Sequence, residues 1–338
     1  MSAPALRGAG SGIIGVLGGV AAILFGLSAY AQSSKPGQPG GYPTHAVRTI
    51  VPFPPGGATD VVMRLVGQHL ATRFGQPFLV ENRPGAGGQI GTQAALAAPA
   101  DGYTMVLSGE TLVCLGQLFQ KDLAYDARKA LKPVAFLATN LMGIAVHPSV
   151  PARTLAELID YAKRNPGKLS YATPGIGTPH HIVGEIFAKA AGIDIQHVGY
   201  KGGAAAVTDL VGGQVQIMVG GLAPLRPYAE QNRLRILATT GPERVEILPL
   251  VPTISETIPG FAMTSWVGLF MRSETPDAPL SALNTEINAI LKRPEVRRQL
   301  IDQGLDPRSG PPAAVRSAVE GDCRTWLGAI ERTRLKFD

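Results

Sequence analysis

One local pattern recurs along this chain and narrows its fold more than anything else. A short β-branched, apolar run is followed by a glycine- or proline-rich turn, and then by a stretch with apolar residues at helical spacing. It first occurs in AVRTIVPF (46–53), which runs into PPGGATD (54–60) and then VVMRLVGQHLATRF (61–74). In that last stretch Val62, Leu65, Val66 and Leu70 share a helical face, and Gly75 is placed to end the helix. QPFLVEN, RPGAGG and QIGTQAALAA repeat the pattern, and DGYTMVLSG opens a third unit. A second series starts near residue 144 with IAVHPSV, after which Thr154 and Glu157 form a capping box at the head of TLAELIDYAKRN. TPGIGTPHH (173–181) and YKGGAAA (200–206) each open a further helix. Such alternation predicts an α/β protein with largely parallel sheets covered by helices.

The organisation around these units follows from length and composition. Arg7, the apolar run at 13–27 and the small pair Ala29 and Ala31 predict an export signal over residues 1–31, since the run is shorter than the ~20 residues of a membrane span. Residues 32–45 are polar and rich in Gly and Pro, and are expected to be a flexible leader. Roughly 300 residues then remain, enough for two lobes. After TSWVGLFMRS (264–273) the pattern is almost wholly helical and cannot form a sheet of its own, so the chain is expected to return to its first lobe. Lobe 1 is thus expected over 46–143 plus 267–338 and lobe 2 over 144–266, with crossings near 143 and 267 and a cleft between. An exported chain of this kind is expected in the periplasm.

Several function classes are disfavoured. The net charge of +6 is scattered and aromatics make up 6% of residues, which is not the basic, aromatic-laced stripe of a nucleic-acid binder. There is no GxxxxGK[ST] run and no GxSxG elbow, and the glycines of GAGGQIG (85–91) are spaced one residue too far for a dinucleotide fingerprint. His180 and His181 are adjacent, about 100° apart on a helix, which spoils joint metal ligation; His181, Glu185 and His197 form a weaker conceivable set, and no metal or cofactor is expected. Cys114 and Cys323 either form one disulfide or stay as two buried thiols. What the loops do offer is anion binding: PPGGATD, TPGIGTPHH and YKGGAAA present unobstructed backbone N–H groups at helix starts, where the helix dipole favours a carboxylate.

VPFPPGGATD, VENRPGAGGQIG, DGYT, TPGIGTPHH, YKGGAAA and SWVGLF, in this order, closely resemble the Bug family, the extracytoplasmic receptors of tripartite tricarboxylate transporters. The resemblance spans residue 46 to the C-terminus. It implies the two-lobed periplasmic binding protein fold of the second type, each lobe a mixed sheet flanked by helices. It also implies a monomeric, non-enzymatic receptor whose partners are a small organic acid and membrane transporter subunits. The family's first loop maps to Phe53, Gly56, Gly57, Thr59 and Asp60, and its opposing loop to Gly175, Gly177, Thr178 and His180. The YKG turn maps to Lys201, Gly202 and Gly203, and the cleft floor to Ser108 and Gly109. Two departures stand out: SGET brings Glu110 near the cleft where many relatives have Thr-Asn, and Gly220 and Gly221 replace a polar residue, which suits a ligand without an amine or hydroxyl. The alternatives are a two-lobed enzyme with His180 and Glu110 as acid and base, and a sensor for a signalling partner.

Overall fold

The computed structural model describes residues 41–56, 58–116, 123 and 125–335. The expected export signal lies outside the described residues, as do Gly57 and most of the leader. The leader's last residues are packed rather than loose: Tyr42 donates its hydroxyl to Gly102 O (2.6 Å) and sets its ring edge-on to Tyr103, while His45 stacks on the same tyrosine. Pro43 is buried and Tyr42 half-buried, while His45 stays exposed on the outer side of its stack with Tyr103.

In chain order, β1 (Val47–Val51) leads to α1 (Ala58–Phe74), and β2 (Phe78–Asn82) to α2 (Gln89–Leu96). Next come β3 (Thr104–Ser108), α3 (Glu110–Val113), α4 (Ala127–Ala130) and β4 (Leu131–Asn140). The middle of the chain holds β5 (Met142–Val146), α5 (Leu155–Arg164), β6 (Ser170–Thr173), α6 (Pro179–Ala191), β7 (Gln196–Gly199), α7 (Gly203–Val211), β8 (Ile217–Gly221), α8 (Leu222–Glu230) and β9 (Arg235–Thr239). It closes with β10 (Ser265–Arg272), α9 (Asp277–Leu291), α10 (Pro294–Asp302), β11 (Leu305–Pro307) and α11 (Pro312–Thr333).

The local signals behave as their chemistry demands. Val62, Val66 and Leu70 are buried on the inner face of α1, and Gly75 ends it in a left-handed conformation. Thr154 caps α5 by accepting the Glu157 N–H, while the Glu157 carboxylate turns back to the N–H of Arg153.

Two sheets result, in the orders β11-β4-β10-β3-β1-β2 and β7-β6-β8-β5-β9. Both are mixed rather than largely parallel. β1, β2 and β3 run parallel, as do β6, β7 and β8, but β4, β10, β11, β5 and β9 pair antiparallel. The antiparallel members include the strands that carry the chain between sheets, and a strand arriving from the other sheet enters at the end where its neighbours leave. The first change of sheet falls at Leu141, between Asn140 of β4 and Met142 of β5; the second lies between Thr239 and Ser265. Met142 and Gly143 therefore lie in the second sheet and Ser265 and Trp266 in the first, within two residues of the crossings expected near 143 and 267. The two crossings are hydrogen-bonded together: Thr240 N–H donates to Met142 O (3.1 Å) and Met263 N–H to Thr240 O (2.8 Å).

Cys114, just after α3, is disulfide-bonded to Cys323 in α11, and both lie in the core. That core is shared by the two sheets: Ile50 and Val106 of the first and Ile144 and Tyr171 of the second join one apolar cluster with Trp326 of α11. The bond closes a loop across a sequence separation of 209, which on the chain-entropy account stabilises the fold by about 5 kcal/mol. Reduction, or the C114S/C323S pair of substitutions, is expected to lower the thermal unfolding midpoint by several degrees or more, measured by circular dichroism with and without reductant.

Candidate functional site

The strand registers alone gather the candidate loops. In the first sheet Val51 pairs with Asn82 and Ile50 with Val106, so β1, β2 and β3 end together. Gly268 opposite Ser108, and Ser265 opposite Asn140, put the start of β10 and the end of β4 at that same end. In the second sheet Met142 pairs with Gly221, Gly143 with Thr239 and Thr173 with Gly199. The ends of β6, β7 and β8 thus lie where β5 enters and β9 leaves. Both sheets direct the carboxyl ends of their parallel strands, and the helix starts that follow, at the crossings, which is where open α/β sheets bind ligands.

On the first sheet the loop after β1 is held from within. Asp60, in the first turn of α1, accepts the Gly56 N–H (3.0 Å), Arg64 Nε (2.9 Å) and Asn82 Nδ2 (3.0 Å), and Asn82 also donates to Phe53 O (3.1 Å). Burial by itself would raise the Asp60 carboxyl, but the hydrogen bonds from Arg64, Gly56 and Asn82 outweigh it and hold the group below the usual carboxylate range. Its own partners cover the carboxylate while the wider surroundings stay open. Asp60 thereby fastens the loop from the first turn of α1, accepting the Gly56 N–H. Gly56 adopts φ +84° with open space around its Cβ position, so conformation rather than crowding requires glycine there. Phe53 is half-buried against the core beneath, and Thr59 is half-buried in the first turn of α1.

Ser108 is fully buried at the end of β3, with its hydroxyl unpartnered. Gly109 is required by packing, since a Cβ there would lie 2.7 Å from Trp266 O. Glu110 turns inward rather than toward the cleft: one carboxylate oxygen accepts the Trp266 N–H (3.0 Å) and the other is buried without a partner. Burial raises its pKa to about 7 against the opposing pull of the Trp266 N–H and Ser265.

On the second sheet the turns after β6 and β7 are tied together by Tyr200 N–H to Thr173 O (3.0 Å) and Gly202 N–H to Pro174 O (2.9 Å). Thr178 caps α6, its hydroxyl donating to Gly175 O (2.7 Å) and accepting the His181 N–H. Gly175 lies close under Tyr200 O, and Gly177 and Gly202 have positive φ. Gly203 opens α7, and Lys201 is exposed on the turn before it. His180 keeps part of its surface in solvent although protein surrounds its ring; burial lowers its pKa to about 4, so it is neutral at pH 7, and its Nδ1 has no partner.

The sequence pattern gave little sign of the residues that fasten these loops. His181 Nδ1 accepts the Gly177 N–H (3.2 Å), its ring stacks on His197 at 4.0 Å, and His197 Nε2 meets the Thr173 hydroxyl (2.7 Å). Glu185 accepts from the Tyr171 hydroxyl. Of the three residues weighed as metal ligands above, His181 and His197 hold the loop and Glu185 ties α6 to Tyr171 of β6. Asn82 and Arg64 do the equivalent work on the first sheet; their signal was the parallel neighbour strand ending beside the first glycine loop. Two cavities of about 270 and 320 Å³ lie elsewhere, one beside Phe270 and Cys323, the other between Val61 and Leu300.

Solved structures share this arrangement. One described as a periplasmic transporter is 35% identical, with a TM-score of 0.79 over 88% of this chain and 100% of its own. An R. palustris protein solved with adipate is 31% identical, with a TM-score of 0.80 over 87% of this chain and 99% of its own. MatC from Rhodopseudomonas palustris, solved with bound malate, is 27% identical, with a TM-score of 0.75 over 86% and 100%. Two mixed sheets flanked by helices, with their parallel strand ends turned toward paired crossings, define a periplasmic binding protein fold. The model of the tripartite tricarboxylate transporter family receptor matches residues 62–332. Among curated proteins, the UPF0065 protein of the tcbD-tcbE intergenic region of a Pseudomonas species is 33% identical over 95% of this chain and 94% of its own length. BugT of Bordetella pertussis is 32% identical over 88% and 91%. The chain belongs to the tripartite tricarboxylate transporter family receptors, the Bug proteins among them.

Two substitutions separate fastening from burial. Asp60→Ala leaves three donors without their acceptor and is expected to cost about 2 kcal/mol, read as a lower denaturant midpoint at unchanged slope. Glu110 has a folded pKa raised above its unfolded value, so its stabilising contribution is complete below about pH 4.5 and is lost as pH rises through about 7. Glu110→Gln is therefore expected to raise the melting midpoint at pH 8, with the gain fading by pH 5.

Proposed function

We propose that this protein is a non-enzymatic periplasmic receptor that binds one small organic acid between its two lobes and, as a monomer, presents it to the membrane subunits of a tripartite tricarboxylate-type transporter. The observation that carries this reading is the convergence of both sets of strand ends on the crossings. On this reading the N-termini of α1, α6 and α7, which follow those strand ends, form the lips of one cleft. Each such terminus stabilises an anion by roughly 0.3–2 kcal/mol, so a carboxylate is held by backbone N–H groups of the α1 and α6 turns without an arginine. Phe53 and Thr59 line one side; Gly175, Gly177, Thr178, His180 and the Lys201–Gly203 turn line the other. The family assignment and the acids seen in two relatives, adipate and malate, support the same ligand class.

Closure uses the pair of crossings as a hinge, lobe 1 running to Leu141 and again from Ser265. Ligand drives it only because contacts from both lobes exist together in the closed form. An acid–base pair made of His180 and Glu110 is not favoured, because the Glu110 carboxylate is engaged with the Trp266 backbone inside lobe 1.

Titration calorimetry against di- and tricarboxylates, aromatic acids and nicotinate is expected to show one-site binding by at least one class. Small-angle scattering is expected to show a smaller radius of gyration on saturation. Silence across the whole panel, or turnover of any member, contradicts the reading. Replacing His180 by Gln is expected to weaken binding by at most about tenfold, one hydrogen bond's worth, and to leave the pH dependence of affinity between 5 and 8 unchanged.

A further inference from the structure

Ile176 is a large apolar side chain standing in solvent at a place where such a side chain has no folding purpose. It is 81% exposed, in the middle of the loop between Thr173 and Thr178, and glycines flank it on both sides. The backbone beneath it is fixed three ways: Thr178 Oγ1 to Gly175 O, Gly177 N–H to His181 Nδ1, and Gly202 N–H to Pro174 O. The side chain has a seat as well. A Cβ at Gly199, the last residue of β7, would lie 2.9 Å from Ile176 Cγ1, so the root of the isoleucine rests on bare β7 backbone and its tip projects from the sheet end. Folding therefore holds an apolar group in solvent two residues before the α6 turn assigned above to a carboxylate, which on the receptor reading is the mouth of the cleft.

The neighbours sharpen the point. The loops 173–180, 199–203 and 220–221 contain one charged side chain, Lys201, with Gly220 and Gly221 at the adjoining strand end. Carbon covered by Ile176 gains from leaving water, whereas a hydroxyl or ammonium group pressed against it is desolvated with nothing to bond to. Resting on the carboxylate-receptor reading, we infer that Ile176 is the specificity-determining contact of the second lobe. It covers the carbons next to the bound carboxylate and selects acids that carry only hydrogen there over 2-hydroxy and 2-amino acids.

The test is calorimetry on the full chain with two matched series, one of four carbons (succinate, malate, aspartate) and one of six (adipate, 2-hydroxyadipate, 2-aminoadipate). The wild type is expected to favour the unsubstituted acid of whichever series binds by roughly tenfold or more over its hydroxylated partner. Ile176→Thr supplies a hydroxyl at the same branched position and is expected to bring that ratio to within about threefold of one, while Ile176→Val keeps it. Because the side chain is exposed, neither variant should shift the melting midpoint. Equal or tighter binding of the hydroxy or amino acid by the wild type overturns the inference but keeps the carboxylate reading. So does a uniform loss of affinity for all acids in Ile176→Thr, which marks a lobe-to-lobe contact instead. Binding of none of the six acids or of the broader panel removes the carboxylate reading itself, and the inference with it.

Discussion

Parallel strands that share hydrogen bonds must also share an end, and most of what this molecule offers a ligand depends on that constraint. Once β1, β2 and β3 run together, their three exits cannot be distributed; they form one rim. The same holds for β6, β7 and β8. The antiparallel strands then decide where the rims lie. β10 enters the first sheet, and β5 the second, at the rim end, so the polypeptide passes between sheets where the helix starts are concentrated. Rim and hinge are adjacent for a topological reason, and the glycine loops inherit their position from it.

Each rim is then stiffened by side chains that sequence position alone makes hard to interpret. Asp60 draws the first loop toward α1, and His181 draws the second toward α6. Both act four residues after the amide they accept, which is one helical turn, so each helix reaches back to organise the loop that precedes it. A short polar side chain serves on one lobe and an imidazole stacked on a second imidazole on the other. The similarity is in geometry, not in residue type. Glu110 belongs to a different part of the molecule: it fastens the returning strand β10 at Trp266, below the rim.

Much of this architecture was legible in the residues. The helix over 61–74, the capping box at Thr154, a return of the chain to the first lobe near residue 267 and the three glycine loops follow from periodicity and turn chemistry, which are local properties. Strand direction was not legible, because an apolar run such as TSWVGLFMRS reads the same whether its neighbour is parallel or antiparallel. Nor was the fate of polar side chains. Asp60, placed among the ligand contacts by the family resemblance, accepts from three donors, Gly56, Arg64 and Asn82. Asn82 is 22 residues from Asp60, and only the register of β1 with β2 brings the two together.

The disulfide has a consequence of another kind. Cys114 lies at the exit of β3 and Cys323 in the last helix, so the covalent ring they close contains every strand of the second sheet and both crossings. A protease that severs a single peptide bond anywhere inside that ring opens it without parting the molecule, and the severed ends stay tethered through sulfur. The ring cannot be closed until the final helix has emerged, so a chain delivered from its N-terminus must hold β1 to β3 ready for a partner that arrives after the entire second lobe.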